Sequence, residues 1–332
     1  MMKKKLNINR TTRYNIMLLV LLAVLMVFFT TQNERFITLL NIMGIVRQTV
    51  PQALIACGLC FVVTAGGIDL STGSCMALSA IIYGKLCLAG VNAWVAVCIC
   101  LVFGVVLALI NTVLSENLKI PSIMGTLATQ LIAGGAALTI VKAIPISDQL
   151  VKPVTIMNQL KFFDKKVPLA FFVVLVVVLV FIFLEKKTLI GKYALAIGGN
   201  ANAAFFSGIN VWKMRFIFFA LCSVLSAFSG VWMVGRLGSA DPTIGRGMHF
   251  EVLSACILGG VNIKGGEGTV IGCVLGTYIL AVLTNGMQMM DISSFYQQVV
   301  IGIVMLAALL INQITANHAA RKAAIAQAKA AA

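Results

Sequence analysis

Few residues in this chain of 332 are equipped for chemistry. Asp69 stands in the stretch GGIDLSTG, 66–73, two residues before Ser71 and at the end of an apolar run. A charge inside the hydrocarbon zone costs about 2.5–3.5 kcal/mol on insertion scales, so there Asp69 needs a partner or marks a gate or hinge. Asp69 or Ser71 also suits a quieter task, accepting backbone N–H groups as the next helix begins. Both readings stay open. The two histidines, His249 and His318, have no Ser or Cys nucleophile at recognisable spacing. Cys57-x-x-Cys60 has ligand spacing, but no His or second Cys pair accompanies it. Those two, with Cys75, Cys87, Cys98, Cys100, Cys222, Cys256 and Cys273, fall in or beside apolar runs and read as small hydrophobes. No G-x-x-x-x-G-K-[ST] phosphate loop occurs. The chain is therefore read as a non-enzyme with no metal and no cofactor of its own. Any ATP and magnesium used with it belong to a partner ATPase.

The elements that position these residues are apolar. Sixty per cent of the chain is hydrophobic and 11% charged, too little charge to cover a soluble domain of this size. A membrane-crossing helix needs about 20 mostly apolar residues. Runs at about 15–31, 49–65, 72–90, 92–113, 121–142, 168–184, 212–235, 247–262, 268–288 and 295–312 predict an all-α polytopic bundle of roughly ten spans. Basic tails at 1–14 and 313–332 flank one membrane domain, 15–312. The segment 36–48 is too short to cross and is expected to lie along the outer interface. The net charge of +15 follows loop position. With the N-terminus inside, both tails, 114–120, 185–211 and 262–267 are cytoplasmic. Counting Lys213 and Arg215 at the edge of 185–211, fifteen of the 25 Lys and Arg then lie inside and nine outside, with Lys85 within a span, which fits the positive-inside rule. The external loop 143–167, with Lys152, Lys161, Lys165 and Lys166, runs against that bias.

GGIDLSTG at 66–73 is echoed by GGVNIKGG at 259–266, at a constant offset of 193 residues with Asp69 against Asn262. Glycines at such turns let the backbone leave the helix and approach its neighbours, tolerable at membrane depth only inside protein. Repeats with broken helices recur near the site of passage in transporters. Gly66, Gly67, Asp69, Ser71, Gly259, Gly260 and Asn262 are thus candidate gate or hinge residues. Asn111, Thr126, Thr129, Gln130, Ser223, Ser226, Asn285 and Gln288 could line a hydroxyl-friendly path, or hydrogen-bond between helices. The segment 236–251, with Arg236, Asp241, Arg246, His249 and Glu251, is expected outside, contacting a soluble partner, lining the mouth, or simply solvated.

In YALAIGGNANAAFFSGI, 193–209, Gly198-Gly199 is expected to break the helix, Asn200 to cap the next, and Gly208 to end it. A helix that short is marginal alone. Ala203 and Ala204 with Phe205 and Phe206 suit a knob entering a groove on another protein.

GKYALAIGGNANAAFFSGINVWKMR, TAGGIDLSTGS, ADPTIGRGMHFEVLSACILGGVNIKGGEGTVIG and SSFYQQVVIGIVMLAALLI together resemble the inner-membrane permeases of bacterial ribose/galactose/arabinose-type sugar ABC importers. The resemblance covers residues 15 to about 312. It implies a multi-pass, paired permease subunit for a monosaccharide in the bacterial inner membrane. Cytoplasmic ATPases drive it, a periplasmic sugar-binding protein feeds it, and it takes no nucleic-acid partner. It also implies a coupling helix carried by Gly198, Asn200, Ala203, Ala204, Ser207 and Gly208, and a turn at Gly67, Ile68, Asp69, Leu70 and Ser71. Glu251 stands where Asp is more familiar, and Phe205-Phe206 where Thr or Arg types are usual. The competing readings are an ion-driven carrier, which needs an ionisable relay in mid-span, and an intramembrane enzyme, which needs a catalytic set.

Overall fold

The computed structural model describes residues 10–147, 152–163, 167–307 and 310. The expected tails, up to residue 9 and over 313–332, lie outside the described residues, as do Lys165, Lys166 and the end of the last expected span.

Helices account for nearly all regular structure. In chain order they are α1 (Arg10–Gln32), α2 (Leu39–Thr64), α3 (Thr72–Leu88), α4 (Ala93–Thr112), α5 (Ser122–Ile140), α6 (Lys152–Gln159), α7 (Leu169–Lys187), α8 (Leu189–Gly199), α9 (Ala201–Phe206), α10 (Val211–Leu237), α11 (Met248–Leu258), α12 (Val270–Met289) and α13 (Ser294–Ala307). A two-residue pair, β1 (Lys161–Phe162) against β2 (Val167–Pro168), closes one loop. Among the described residues, seven helices are long and apolar enough to cross a membrane: α1, α2, α4, α5, α7, α10 and α12. The protein is a multi-pass all-α membrane protein. The other expected spans are shorter helices, 17 residues in α3 and 11 in α11, with α13 last. At 1.5 Å per residue α11 covers about 16 Å, roughly half the hydrocarbon core.

The longest helix, α10, is the mast of the bundle, with α2, α3 and α4 packed along it. Glycines bring the backbones together. A Cβ on Gly58 of α2 would lie 2.5 Å from Cys222 Cα, and one on Gly104 of α4 would lie 2.8 Å from the Ser223 carbonyl oxygen. Gly230 of α10 sits against the Met76 carbonyl of α3. Such small-residue seams are how helices associate where apolar burial supplies no drive between them.

The segment 36–48 is not a separate element but runs from a 3₁₀ turn into the continuous helix α2. A 3₁₀ turn, Glu34–Ile37, buries Phe36 against Phe29, Ile45 and Val282, and Thr38 caps α2 by accepting from Asn41 N–H. Asn41 then donates to Asn285 at 2.9 Å, so the first turns of α2 gain protein contacts that an interfacial position would lack. The expected break at Gly198-Gly199 also shifts. Helix α8 runs through both glycines and ends at Asn200, whose backbone is extended at φ −160° and ψ 104°.

Contacts sort the connections into two ends. At one end, Tyr14 hydroxyl donates to Leu258 carbonyl at 3.0 Å, Glu116 pairs with Arg215, and Trp212 Nε1 donates to Asn117 at 2.7 Å. The start of α1, the 113–120 connection, α8–α9 and the 259–269 turn thus share one end, the grouping the loop charges imply. At the opposite end Asn33 donates to Met289 carbonyl, Ile146 bridges Ala240, and Arg47 donates to Asn158 carbonyl. Because Gly58 meets Cys222 backbone to backbone, a Gly58→Leu substitution must separate α2 from α10. It is expected to destabilise the fold by about 1–3 kcal/mol or more, read as a lower unfolding temperature of the purified chain in detergent.

Candidate functional site

Thr188 sets off the α7–α8 corner. Its hydroxyl accepts from Ile190 N–H at 3.2 Å and donates to Leu184 carbonyl at 2.6 Å. Asn200 then caps α9, accepting from Ala203 N–H at 2.9 Å, and Gly208 closes it at φ +86°, with Ile209 N–H donating to Ala204 carbonyl. In six residues α9 buries Ala204 and leaves Phe205 63% and Phe206 86% exposed. Ser207 hydroxyl donates to Ala203 carbonyl, and Ala203 is exposed. Two exposed phenylalanines on a one-and-a-half-turn helix form a projecting apolar tip.

Behind that tip the backbone is crowded. A Cβ on Gly198 would overlap both the Thr64 carbonyl oxygen and the Gly266 nitrogen. Gly266 N–H donates to Thr64 carbonyl at 2.8 Å. A Cβ on Gly265 would lie 2.9 Å from the Cα atoms of Gly198 and Gly66. Gly66, Gly265 and Gly266 all have φ of +80° or more, a region that L side chains enter at a cost. The two echoed turns therefore meet each other and the end of α8 at one glycine hub. Glu185 of α7 ties in α12 by accepting Val270 N–H at 2.9 Å.

The echo is structural, with one adjustment. Helix α2 ends with Gly66 N–H to Val63 carbonyl and Gly67 N–H to Val62 carbonyl. Helix α11 ends the same way through Gly260 to Ile257 and Val261 to Cys256. Gly66 thus corresponds to Gly260, one residue off the 193-residue offset, while Gly259 still belongs to the helical end at φ −69°. Further along the offset holds. Asp69 Oδ1 accepts Ser71 N–H at 2.9 Å and Asn262 Oδ1 accepts Lys264 N–H at 3.0 Å, the same side-chain turn.

Asp69 is 1% exposed. Its Oδ1 also accepts the Ser71 hydroxyl at 2.6 Å, the Ser71 oxygen accepts from Asn111 Nδ2 at 2.9 Å, and Asn111 Oδ1 accepts from Thr129 at 2.8 Å. Thr126 and Ser122 accept the N–H groups of Leu70 and Ile68. Asn111, Thr126 and Thr129 are thus gathered into a clasp that holds the first turn against α4 and α5. Among the described residues Asp69 Oδ2 has no hydrogen-bond partner, with the Cys222 thiol beside it. Ser71 precedes α3 without a side-chain cap bond.

The segment expected as an outer loop turns inward. Ala240 packs by Gly84 near the far end of α3, whereas Gly245 meets the backbone of Gly73 at its start. Residues 240–247 therefore run down α3 as irregular backbone, and α11 completes the crossing. Arg236 and Arg246 are exposed, and Asp241 accepts Thr243 N–H and hydroxyl, each at 2.7 Å. His249 is buried beside Gln130 Nε2 at 3.2 Å. Ser226 hydroxyl donates within its own helix to Cys222 carbonyl, Ser223 is buried beside it, and Gln288 is exposed at the opposite end. Glu251 and Asn285 instead face one cavity of about 240 Å³ between α2, α11 and α12, lined also by Gln48, Gln52, Thr277 and Thr284. Sequence reading passed over these four, although Gln48 and Gln52 stand one turn apart in an apolar run, as Thr277 and Thr284 stand two turns apart.

The sequence model of the branched-chain amino acid transport system / permease component family matches residues 41–309. The ribose import permease proteins of Escherichia coli (strain K12) and Bacillus subtilis (strain 168) are 32% and 35% identical to the chain. The alignments cover 89% and 88% of this chain and 92% and 90% of those proteins. The L-arabinose transport system permease protein of Escherichia coli (strain K12) is 32% identical, over 89% of each. No solved structure matches the chain.

Removing Asn111 deletes one hydrogen bond each from Ser71 and Thr129 in a buried place, leaving Ser71 its bond to Asp69 and Thr129 its bond to the Thr126 carbonyl. Asn111→Leu is expected to cost about 1–3 kcal/mol. Adding Thr129→Val to it should cost clearly less than the two separate losses summed, as measured by a double-mutant cycle on thermal unfolding.

Proposed function

The chain belongs to the branched-chain amino acid transport system / permease component family, and from that membership we propose that it is the translocation subunit of an ATP-driven sugar importer. Its relatives named for ribose and arabinose run at 32–35% identity over about nine-tenths of both chains, which supports a monosaccharide as the solute. The observation that carries the mechanism is the α8–α9 unit, a projecting phenylalanine tip seated on the hub where both glycine turns meet. In this reading α9 inserts into a separate cytoplasmic ATPase. The loops sharing its end are cytoplasmic, the opposite end receives a sugar-loaded binding protein from the periplasm, and two permease copies or paralogues pair in the bacterial inner membrane. ATP binding and hydrolysis favour one permease state over the other only through different contacts with each. A push on α9 reaches Thr64 and Gly266 directly, and so the ends of α2 and the 259–269 turn together.

Replacing Phe205 and Phe206 with Ala removes the tip while leaving buried Ala204 in place. The expected result is a loss of about tenfold or more in both sugar uptake and binding-protein-stimulated ATP hydrolysis, the scale of losing aromatic anchors from an interface. The amount of protein in the membrane should be unchanged. Uptake at the unaltered rate overturns the coupling role.

A further inference from the structure

The cavity between α2, α11 and α12 is polar where its surroundings are apolar. Its lining combines the side chains of Gln48, Gln52, Thr49, Glu251, Thr277, Thr284 and Asn285 with Ile45, Ala255, Leu280, Ala281 and Ile301. Thr277 and Asn285 are eight residues apart on α12, so the cavity extends about 12 Å along the helix axis. It ends four residues short of Met289, towards the end opposite α9. Its floor is a backbone seam. A Cβ on Gly276 would overlap the Ala255 carbonyl, and one on Gly272 the Gly259 carbonyl. Polar groups at this depth are costly against lipid, so such a cavity belongs to a water-filled or protein-enclosed route.

The hydrogen-bonding character of the lining is specific. The hydroxyls of Thr49, Thr277 and Thr284 donate to the carbonyls of Ile45, Cys273 and Leu280 of their own helices, at 2.6, 2.9 and 2.9 Å. Their protons are committed, and what they offer is lone pairs. Among the described residues Gln52 Oε1 is buried with no hydrogen-bond partner, and Gln52 lines the cavity together with Glu251. Asn285 Oδ1 is occupied by Asn41, which leaves its Nδ2 as a donor. Acceptors thus dominate, one of them a carboxylate, and among the described residues no Lys or Arg lines the cavity.

On the reading of the chain as a sugar permease, we propose that this cavity is the transit seat for a neutral polyhydroxylated solute. Sugar hydroxyls donate to the threonine oxygens, Gln52 Oε1 and Glu251, and the Glu251 carboxylate repels phosphorylated sugars. The aliphatic lining suits the C–H faces of a sugar ring. Among the described residues no aromatic side chain lines the cavity to stack on that ring, which fits a seat that must release what it holds. A cation is the poorer match. The acceptors are spread over about 12 Å, and no group of three His, Cys, Asp or Glu side chains converges among the described residues.

The test is saturation-transfer NMR on the full chain in nanodiscs, with D-ribose, L-arabinose and D-ribose 5-phosphate at millimolar concentration. Uptake of the same two neutral sugars by cells producing each variant runs in parallel. The unaltered chain should give transfer to at least one neutral sugar and none to the phosphate. Thr284→Val, which keeps shape and replaces the hydroxyl with a methyl, should weaken that transfer severalfold. Glu251→Lys should abolish it, and should lower maximal uptake at least tenfold while binding-protein-stimulated ATP hydrolysis persists. That persistence separates a lost seat from a lost fold. Equal transfer to the phosphate, no transfer to either neutral sugar, or variants indistinguishable from the unaltered chain overturns the proposal. Should the variants fall in that last class while the unaltered chain still imports sugar, the permease reading stands and only the seat is lost. A chain that imports neither sugar removes both.

Discussion

Everything at the α9 end rests on backbone packing against backbone at Gly198. The Thr64 carbonyl and the Gly266 N–H leave no space for a side chain at Gly198, and the Cα atoms of Gly198 and Gly66 leave none at Gly265. Two consequences follow from that closeness. The hub has no flexible side chains to absorb a displacement, so movement of the end of α8 is passed on with little loss; packed interiors respond by switching between arrangements more readily than by deforming smoothly. It also joins, at one point, the last turn of α2, the 259–269 turn and the α8–α9 unit. These are the elements a coupling device has to connect to the helices lining a passage.

Irregular backbone at membrane depth carries a second constraint, because each unpaired N–H or carbonyl there costs free energy. The first turn meets it with the side chains of Ser122 and Thr126, which accept the N–H groups of Ile68 and Leu70, and with Asp69, which accepts Ser71. The Asp69–Ser71–Asn111–Thr129 chain then locks that turn to α4 and α5. The second turn is held differently. Asn262 makes the equivalent local turn, but the surrounding support is glycine contact with α12 and the Tyr14 ring packed on Gly260. One copy of the repeat is tethered by side chains and the other by close backbone approach. The second turn is flanked by α11 and α12, which with α2 enclose the cavity.

Much of this was legible in the sequence. Hydrophobic runs located the long helices, since about 20 apolar residues have few other uses. The Asn200 cap, the Gly208 stop and the exposed phenylalanines followed from local rules that hold without tertiary context. The repeat was visible because it needs glycine at positive φ and a side-chain acceptor two residues before an N–H. Its one-residue slip was not, since Gly259 and Gly260 are alike on paper and only the helix end decides which takes φ +86°. The inward course of 240–247 was also hidden. Arg246 and Asp241 mark that stretch as a surface loop by composition, and its burial depends on Gly245 meeting Gly73, a contact between positions 172 residues apart. Asn111 and Thr129 looked like path residues for the same reason that they make a clasp. A hydroxyl and an amide facing inward serve solute and backbone equally well, and only a partner's position tells the two apart.

The cavity and the hub stand on the same two helices. From Thr277 up, α11 and α12 part far enough to enclose about 240 Å³; below it, Gly276 against Ala255 and Gly272 against Gly259 close them to backbone contact. The seam runs directly into the 259–269 turn, whose Gly265 and Gly266 press on Gly198. A displacement arriving at the hub therefore acts on the closed end of the wedge whose open end holds the polar lining. Glycine contacts are well suited to that position. They bind by close approach, with no interlocking side chains to unpack, so the seam can part or slide without first breaking a hydrogen-bonded network. The clasp at Asp69, rich in such bonds, ties the other copy of the turn to α4 and α5.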